Sequence, residues 1–249
     1  MIAYGPLARY YDRLTTDVDY PAFADYYETL FARYGLQPHT VLDLACGTGT
    51  LTGILAARGY EMIGVDGAAE MLSVAAEKAE QLSGCIRPMF LNQAMEELDL
   101  YGTVDAAVCS LDGINYLPRE DVAEVFRRLH LFIRPGGLLV FDINARRFLR
   151  ELDGQVFLDE DEDVFCVWRS EYDWEQEICY YGMDLFSRRE DGSWDRSFEE
   201  HVEYGHGETD LIRLLEQHGF TETQLFGPFS ELPPREEDDR IFIAARREE

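Results

Sequence analysis

The sequence predicts an α/β protein: a doubly wound, mostly parallel sheet of seven strands that carries an inserted antiparallel sheet. Three observations predict it. Strand-length apolar runs alternate with helical patterns from Val41 to Ile143, which is the rhythm of a parallel sheet with crossover helices. The first run ends in an acid and enters a Gly-x-Gly bend, Val41-Leu42-Asp43-Leu44-Ala45-Cys46-Gly47-Thr48-Gly49. Between Gln155 and Gly205 the rhythm gives way to aromatic and β-branched runs joined by short polar turns. A chain of 249 residues that is 46% hydrophobic can bury one such core with an elaboration.

Taken in order, Tyr10 to Leu14 and the amphipathic run from Tyr20 to Tyr34, stopped by Gly35, predict one or two helices ahead of the first strand. The Gly47 bend leads into a first crossover helix, Leu51 to Arg58. Glu61 to Asp66 is the second strand, and Ala68 to Leu82, dense in Ala, Glu, Met and Lys, the second helix. Ile86 to Leu91 and Val104 to Ser110 are the third and fourth strands. A helix over Glu120 to Ile133 and a turn at Pro135-Gly136-Gly137 then precede the fifth, Leu138 to Ile143. The insertion reads as strands Val164 to Tyr172, Ile178 to Arg188 and Trp194 to Tyr204, preceded by a solvated acidic loop, Asp159 to Asp163. A helix from Glu208 to His218, capped by Gly219, and strands Phe220 to Phe226 and Arg240 to Ala245 complete the sheet. The chain therefore divides into residues 1–154 with 206–249, and an inserted β subdomain, 155–205.

The acids decide the ligand. Open α/β sheets bind ligands at the carboxyl ends of their strands, where glycines let the backbone approach. A dinucleotide loop wants Gly-x-Gly-x-x-Gly, but Thr52 stands at the third glycine position. Asp43, at the mouth of the loop, would repel a pyrophosphate and attract a cation. Asp66 ends the second strand about 20 residues past the glycines, where a βαβ unit sets a carboxylate on ribose hydroxyls. S-adenosylmethionine offers that ribose, a sulfonium, an ammonium and no phosphate.

Together, Val41 to Gly49, Asp66, Val104 to Tyr116 and Arg134-Pro135-Gly136-Gly137-Leu138 resemble the class I S-adenosylmethionine-dependent methyltransferases, over roughly Tyr10 to Phe141 plus the closing strand. The resemblance implies a Rossmann-like methyltransferase fold with S-adenosylmethionine as cofactor. It sets Asp43, Ala45, Cys46, Gly47 and Gly49 in the loop and Asp66 and Gly67 at the ribose. Met71, Ala94 and Met95 lie about the adenine, and Ser110, Leu111 and Asp112 near the sulfonium. Asn115 and Tyr116 stand where acceptor and sulfonium meet, and Tyr11 and Tyr20 belong to an N-terminal lid. Two departures stand out: Ala45 replaces the first glycine of the family loop, and Ala94 replaces an acid that reaches the adenine amino group.

Methyl transfer is an in-line displacement that needs alignment more than metal or covalent chemistry. His201, in Glu199-Glu200-His201, is the candidate base where the acceptor must lose a proton. The aromatic residues Phe165, Trp168, Tyr172, Tyr180, Tyr181 and Phe186 predict that the insertion walls the acceptor pocket; a homodimer interface is the alternative use of that enrichment. Lys+Arg 22 against Asp+Glu 49 gives a net charge of -27, which argues against DNA or RNA and leaves a small-molecule acceptor. Five cysteines without metal-ligand spacing, no leader pattern and no apolar run near the ~18 residues of a membrane span predict a cytoplasmic protein. A nicotinamide oxidoreductase and a non-catalytic S-adenosylmethionine-binding protein are the rival readings.

Overall fold

The computed structural model describes residues 4–248. Helices α1 (Tyr11–Leu14) and α2 (Tyr20–Arg33) precede β1 (Thr40–Leu44), and α2 begins where Asp19 accepts the Ala22 N–H at 3.0 Å. There follow α3 (Thr50–Ala57), β2 (Glu61–Asp66), α4 (Ala69–Glu80), β3 (Met89–Asn92), β4 (Val104–Cys109), α5 (Arg119–Phe132) and β5 (Ile133–Asn144). A short helix, α6 (Arg146–Glu151), leads to the insertion: β6 (Val156–Asp161), β7 (Val164–Asp173), β8 (Ile178–Arg188) and β9 (Trp194–Tyr204). Helix α7 (Glu208–Gln217), β10 (Phe220–Phe226) and β11 (Arg240–Arg247) close the fold.

The seven-stranded sheet has the order β10-β11-β5-β4-β1-β2-β3, with only β11 antiparallel to its neighbours. Alternation divides the core between its faces. Val41, Ala106, Val108, Leu138 and Val140 pack under α2 and α3, whereas Leu42, Leu44, Leu139, Phe141 and Ile143 pack under α5 and α7. The strand order reverses between the parallel strands β1 and β4, so a crevice opens at their carboxyl ends. The separate four-stranded sheet runs β6-β7-β8-β9.

Three expectations are corrected. The third strand begins at Met89 rather than Ile86, because Pro88 cannot donate to the ladder and Ile86 is left exposed. The acidic stretch is not a loop: Asp159, Glu160 and Asp161 belong to β6 and pair with Cys166, Phe165 and Val164, the hairpin turning at Glu162-Asp163. An edge strand with exposed faces tolerates carboxylates, and charge there discourages pairing with other chains. Hydrogen bonding in β5 likewise starts at Ile133, through the expected turn, with an irregular register between Val104 and Ala106. Among the described residues, no helix is long and apolar enough to cross a membrane.

Candidate active site

A cavity of about 470 Å³ lies at the carboxyl ends of β1, β2 and β4. Its floor is the loop after β1, which turns by three left-handed residues: Ala45 at φ 57°, Gly47 at 53° and Gly49 at 69°. Ala45 thus holds the glycine-like conformation despite its side chain. At Gly49 a Cβ would lie 2.9 Å from that of Ala75, so this glycine seats the loop against α4 and faces away from the cavity. Asp66 fixes the loop from below, accepting the N–H groups of Gly47 and Ala68 at 2.8 Å each. Burial raises its carboxyl above the usual range, and those two donors oppose the shift. Asp43 is buried and accepts the Thr52 hydroxyl at 2.5 Å; burial pushes its carboxyl up to about 7.

Ala45, Cys46, Gly47, Thr48 and Thr50 line one side, Asp66, Gly67, Ala68 and Met71 another, and Ala94, Met95 and Glu96 a third. Opposite stand Ser110, Leu111, Gly113 and Tyr116, and over the top Tyr4, Tyr11 and Tyr20. The structure therefore brings most of the expected residues to one cavity. Gly49, Asp112, Asn115 and His201 stand outside its lining.

Leu111 and Asp112 are consecutive left-handed residues at φ 56° each, a costly backbone for side chains of this size. Asp142 holds them by accepting both N–H groups at 3.0 Å. Arg240 in turn pairs with Asp142 and, at 3.0 Å, with Asp112, which fixes the Asp112 side chain away from the cavity. Asn115, fully buried, donates to the carbonyls of Asn144 (3.3 Å) and Tyr204 (3.0 Å) and accepts the Asn144 N–H (3.0 Å). Its amide is spent on joining β5 to β9.

Helix α1 latches the lid. Asp12 accepts the Thr48 hydroxyl at 2.6 Å and pairs with Lys78 at 2.6 Å, while Arg13 bonds Asp161 at 2.6 Å and Asp163 in the β6–β7 hairpin. The insertion also turns polar groups toward the main sheet. Glu199, His201 and Glu203, every second residue of β9, are 2%, 2% and 5% exposed. The Trp168 ring stacks obliquely on His201 at 5.7 Å. Glu203 accepts the Asn144 amide at 2.8 Å, and burial, then the Asp112 charge, pushes its carboxyl up to about 8.

That displacement predicts a pH effect. The folded protein holds the Glu203 proton more tightly than the unfolded chain, whose carboxyl titrates near 4.5, so the stability it contributes is complete below that value and is lost as pH rises to about 8. Glu203→Gln cannot ionise; its melting-temperature advantage over the unaltered protein should grow across that window, by the equivalent of a few kcal/mol, and then level off. A pH-independent difference would refute the assignment.

Sequence reasoning missed Tyr4, Glu96, the Asp12 latch and the Arg240–Asp142 pair. Tyr4 lies in no periodic segment, and Arg240 is brought to Asp142 only by the β5–β11 register, which sets Arg240 opposite Asn144 and Phe242 opposite Asp142. A legible signal existed for Glu199 and Glu203: with His201 they keep the period of two that assigns one face of a strand.

Asp43, Asp66 and Glu96 reach the cavity, and no lysine or arginine does among the described residues. Such a lining opposes a pyrophosphate and suits an adenosyl ligand bearing sulfonium and ammonium charge. Comparison with known proteins agrees. The model of a methyltransferase domain family matches residues 41–137. YqeM of Bacillus subtilis (strain 168), provisionally named a methyltransferase, is 30% identical over 247 residues, covering 98% of this chain and 97% of that relative. A protein of Geobacillus sp. (strain WCH70) with the same provisional name is 28% identical over 99% of this chain and all of its own length. The crystal structure of an S-adenosylmethionine-dependent methyltransferase from Clostridium acetobutylicum ATCC 824 superposes with a TM-score of 0.85 at 27% identity, covering 99% of each chain. A loop without phosphate chemistry, two acids on adjacent strands and relatives matched from end to end have one common account: the chain belongs to the S-adenosylmethionine-dependent methyltransferase family.

Proposed function

We propose that the chain transfers the methyl group to a small-molecule acceptor, held between the cofactor cavity and the inner face of the inserted sheet. The observation that carries this reading is the continuity of that wall: Tyr4 and Tyr116 line the cavity and also meet the His201 ring, at 4.6 and 6.2 Å between centroids. In this reading Asp66 binds the ribose hydroxyls, Met71, Ala94 and Met95 enclose the adenine, and Asp43 and the loop from Ala45 to Gly47 receive the amino-acid end. Ser110 and Leu111 border the sulfonium. The donor supplies an already activated methyl, so the protein's task is to align the nucleophile with carbon and sulfur and to exclude water. His201 takes the proton of an acceptor that must lose one.

A net charge of -27 supports a small acceptor over a nucleic acid, and free cysteines at every described position suit a reducing cytoplasm. The test is transfer of tritiated methyl from S-adenosylmethionine to a desalted or undesalted cell extract. Label should enter the small-molecule fraction and vanish with desalting. Label in polynucleotide or protein would overturn the acceptor class, and no transfer from either extract would favour a binding protein without turnover.

A further inference from the structure

The inner face of β9 carries Glu199, His201 and Glu203 where a buried sheet face ordinarily carries apolar side chains. Glu203 and its neighbour Asn144 satisfy one another. His201 is different: among the described residues neither buried ring nitrogen has a hydrogen-bond partner, and Nε2 only approaches Glu199 Oε2, at 3.4 Å. A buried imidazole with nothing to bond is costly unless a ligand bonds it. What covers it is Tyr4. The Tyr4 ring lies edge-on to His201, its hydroxyl donates to that of Tyr116 at 2.7 Å, and it lines the cavity that His201 does not reach.

The segment bearing Tyr4 is held by Glu199, whose two oxygens accept the N–H groups of Tyr4 (2.7 Å) and Leu7 (3.1 Å). Leu7 packs on Val164, Cys166, Met183 and Leu185 of the inserted sheet. Tyr4 itself stands at φ 65°, a left-handed conformation that a tyrosine adopts only under restraint. A restrained ring over an unsatisfied histidine is poised for exchange.

We propose that Tyr4 occupies the acceptor's seat, and that the acceptor is a small primary or secondary amine that displaces the Tyr4–Leu7 segment over His201 and Glu199. This rests on the methyl-transfer reading above. Glu199 is engaged by N–H donors alone, which an amine replaces in kind. Among the described residues no lysine or arginine lines the cavity, so an anionic acceptor would meet Asp43, Asp66 and Glu96 in the lining and Glu199 beneath Tyr4 without a counter-charge. Trp168, Tyr116 and the imidazole give an ammonium π faces once Tyr4 leaves. The chemistry balances: the ammonium gives one proton to a free nitrogen of His201, and its lone pair forms the N–C bond. The C–S pair returns to sulfur as a neutral thioether, leaving a methylated ammonium. A neutral alcohol brings no positive charge for Glu199 and the π faces to hold.

Calorimetry with benzylamine, in the presence of saturating S-adenosylhomocysteine, tests this. Tyr4→Ala should bind benzylamine about tenfold more tightly than the unaltered protein, and Glu199→Gln added to it should remove the gain, while benzyl alcohol gains nothing. In the unaltered protein, benzylamine should quicken amide exchange over residues 4–9. Equal benzylamine affinity in Tyr4→Ala, or unchanged or slower exchange in that segment, would overturn the seat; equal gains for the alcohol would overturn the amine. Failure of the unaltered protein to bind S-adenosylhomocysteine would instead remove the cofactor reading and this inference with it.

Discussion

Replacing Arg240 by methionine is expected to cost about 3–5 kcal/mol of folding stability, the range for breaking a buried pair by removing one partner. Arg240 is the cation shared by Asp142, which is fully buried, and Asp112. Burial raises the Asp142 carboxyl and the guanidinium opposes that rise, so without Arg240 the carboxyl should stay protonated to higher pH. A proton held more tightly when folded stabilises at low pH and ceases to as pH rises, hence the loss should be smaller at pH 5 than at pH 7.5. Urea unfolding at both values measures it. A loss below 1 kcal/mol at pH 7.5 would show that the pair is not what holds Leu111 and Asp112 in their left-handed turn. Because Leu111 lines the cavity, cofactor affinity should fall as well.

Asp66→Ala should weaken S-adenosylhomocysteine binding by at least tenfold, since a hydrogen bond to a charged group is worth about 1.5–3 kcal/mol. The structure adds a second route to the same loss. Asp66 is also what holds Gly47 and Ala68 in place, so the variant loosens the loop along with the proposed ribose contact. Asp66→Asn keeps an acceptor for one of those N–H groups and should fall between. Unchanged affinity in Asp66→Ala, by calorimetry, would remove the central assignment.

The main sheet was legible because its signals are local: each strand is an apolar run, and each turn carries its own glycine or acid. Asp43, Asp66 and Gly47 could be found for the same reason, since the chemistry and the turn are encoded within a few residues. The edge strand β6 was hidden because its carboxylates read as solvated loop, and an exposed strand has no buried face to leave a period in the sequence. Asn115 was legible as a residue near the site but not in its task, since its partners Asn144 and Tyr204 lie on strands far along the chain. His201 was legible as a candidate base, yet its burial and its cover by Tyr4 follow from the docking of two segments that share no sequence pattern.

The segment from Tyr4 to Arg13 makes contacts of very long range: the Tyr4–Glu199 bond spans 195 positions and the Arg13–Asp163 bond 150. Contacts of that separation close large loops and form late in folding. During synthesis the segment emerges well before β9 exists, and until β9 follows, its partners are missing. The β1–β4 half of the sheet, which carries the loop that floors the cavity, is complete long before that. A nascent chain therefore passes through a stage in which the strands that floor the cavity exist and the roof over it does not, because Tyr4 and Arg13 gain these partners only once β6 to β9 have been made.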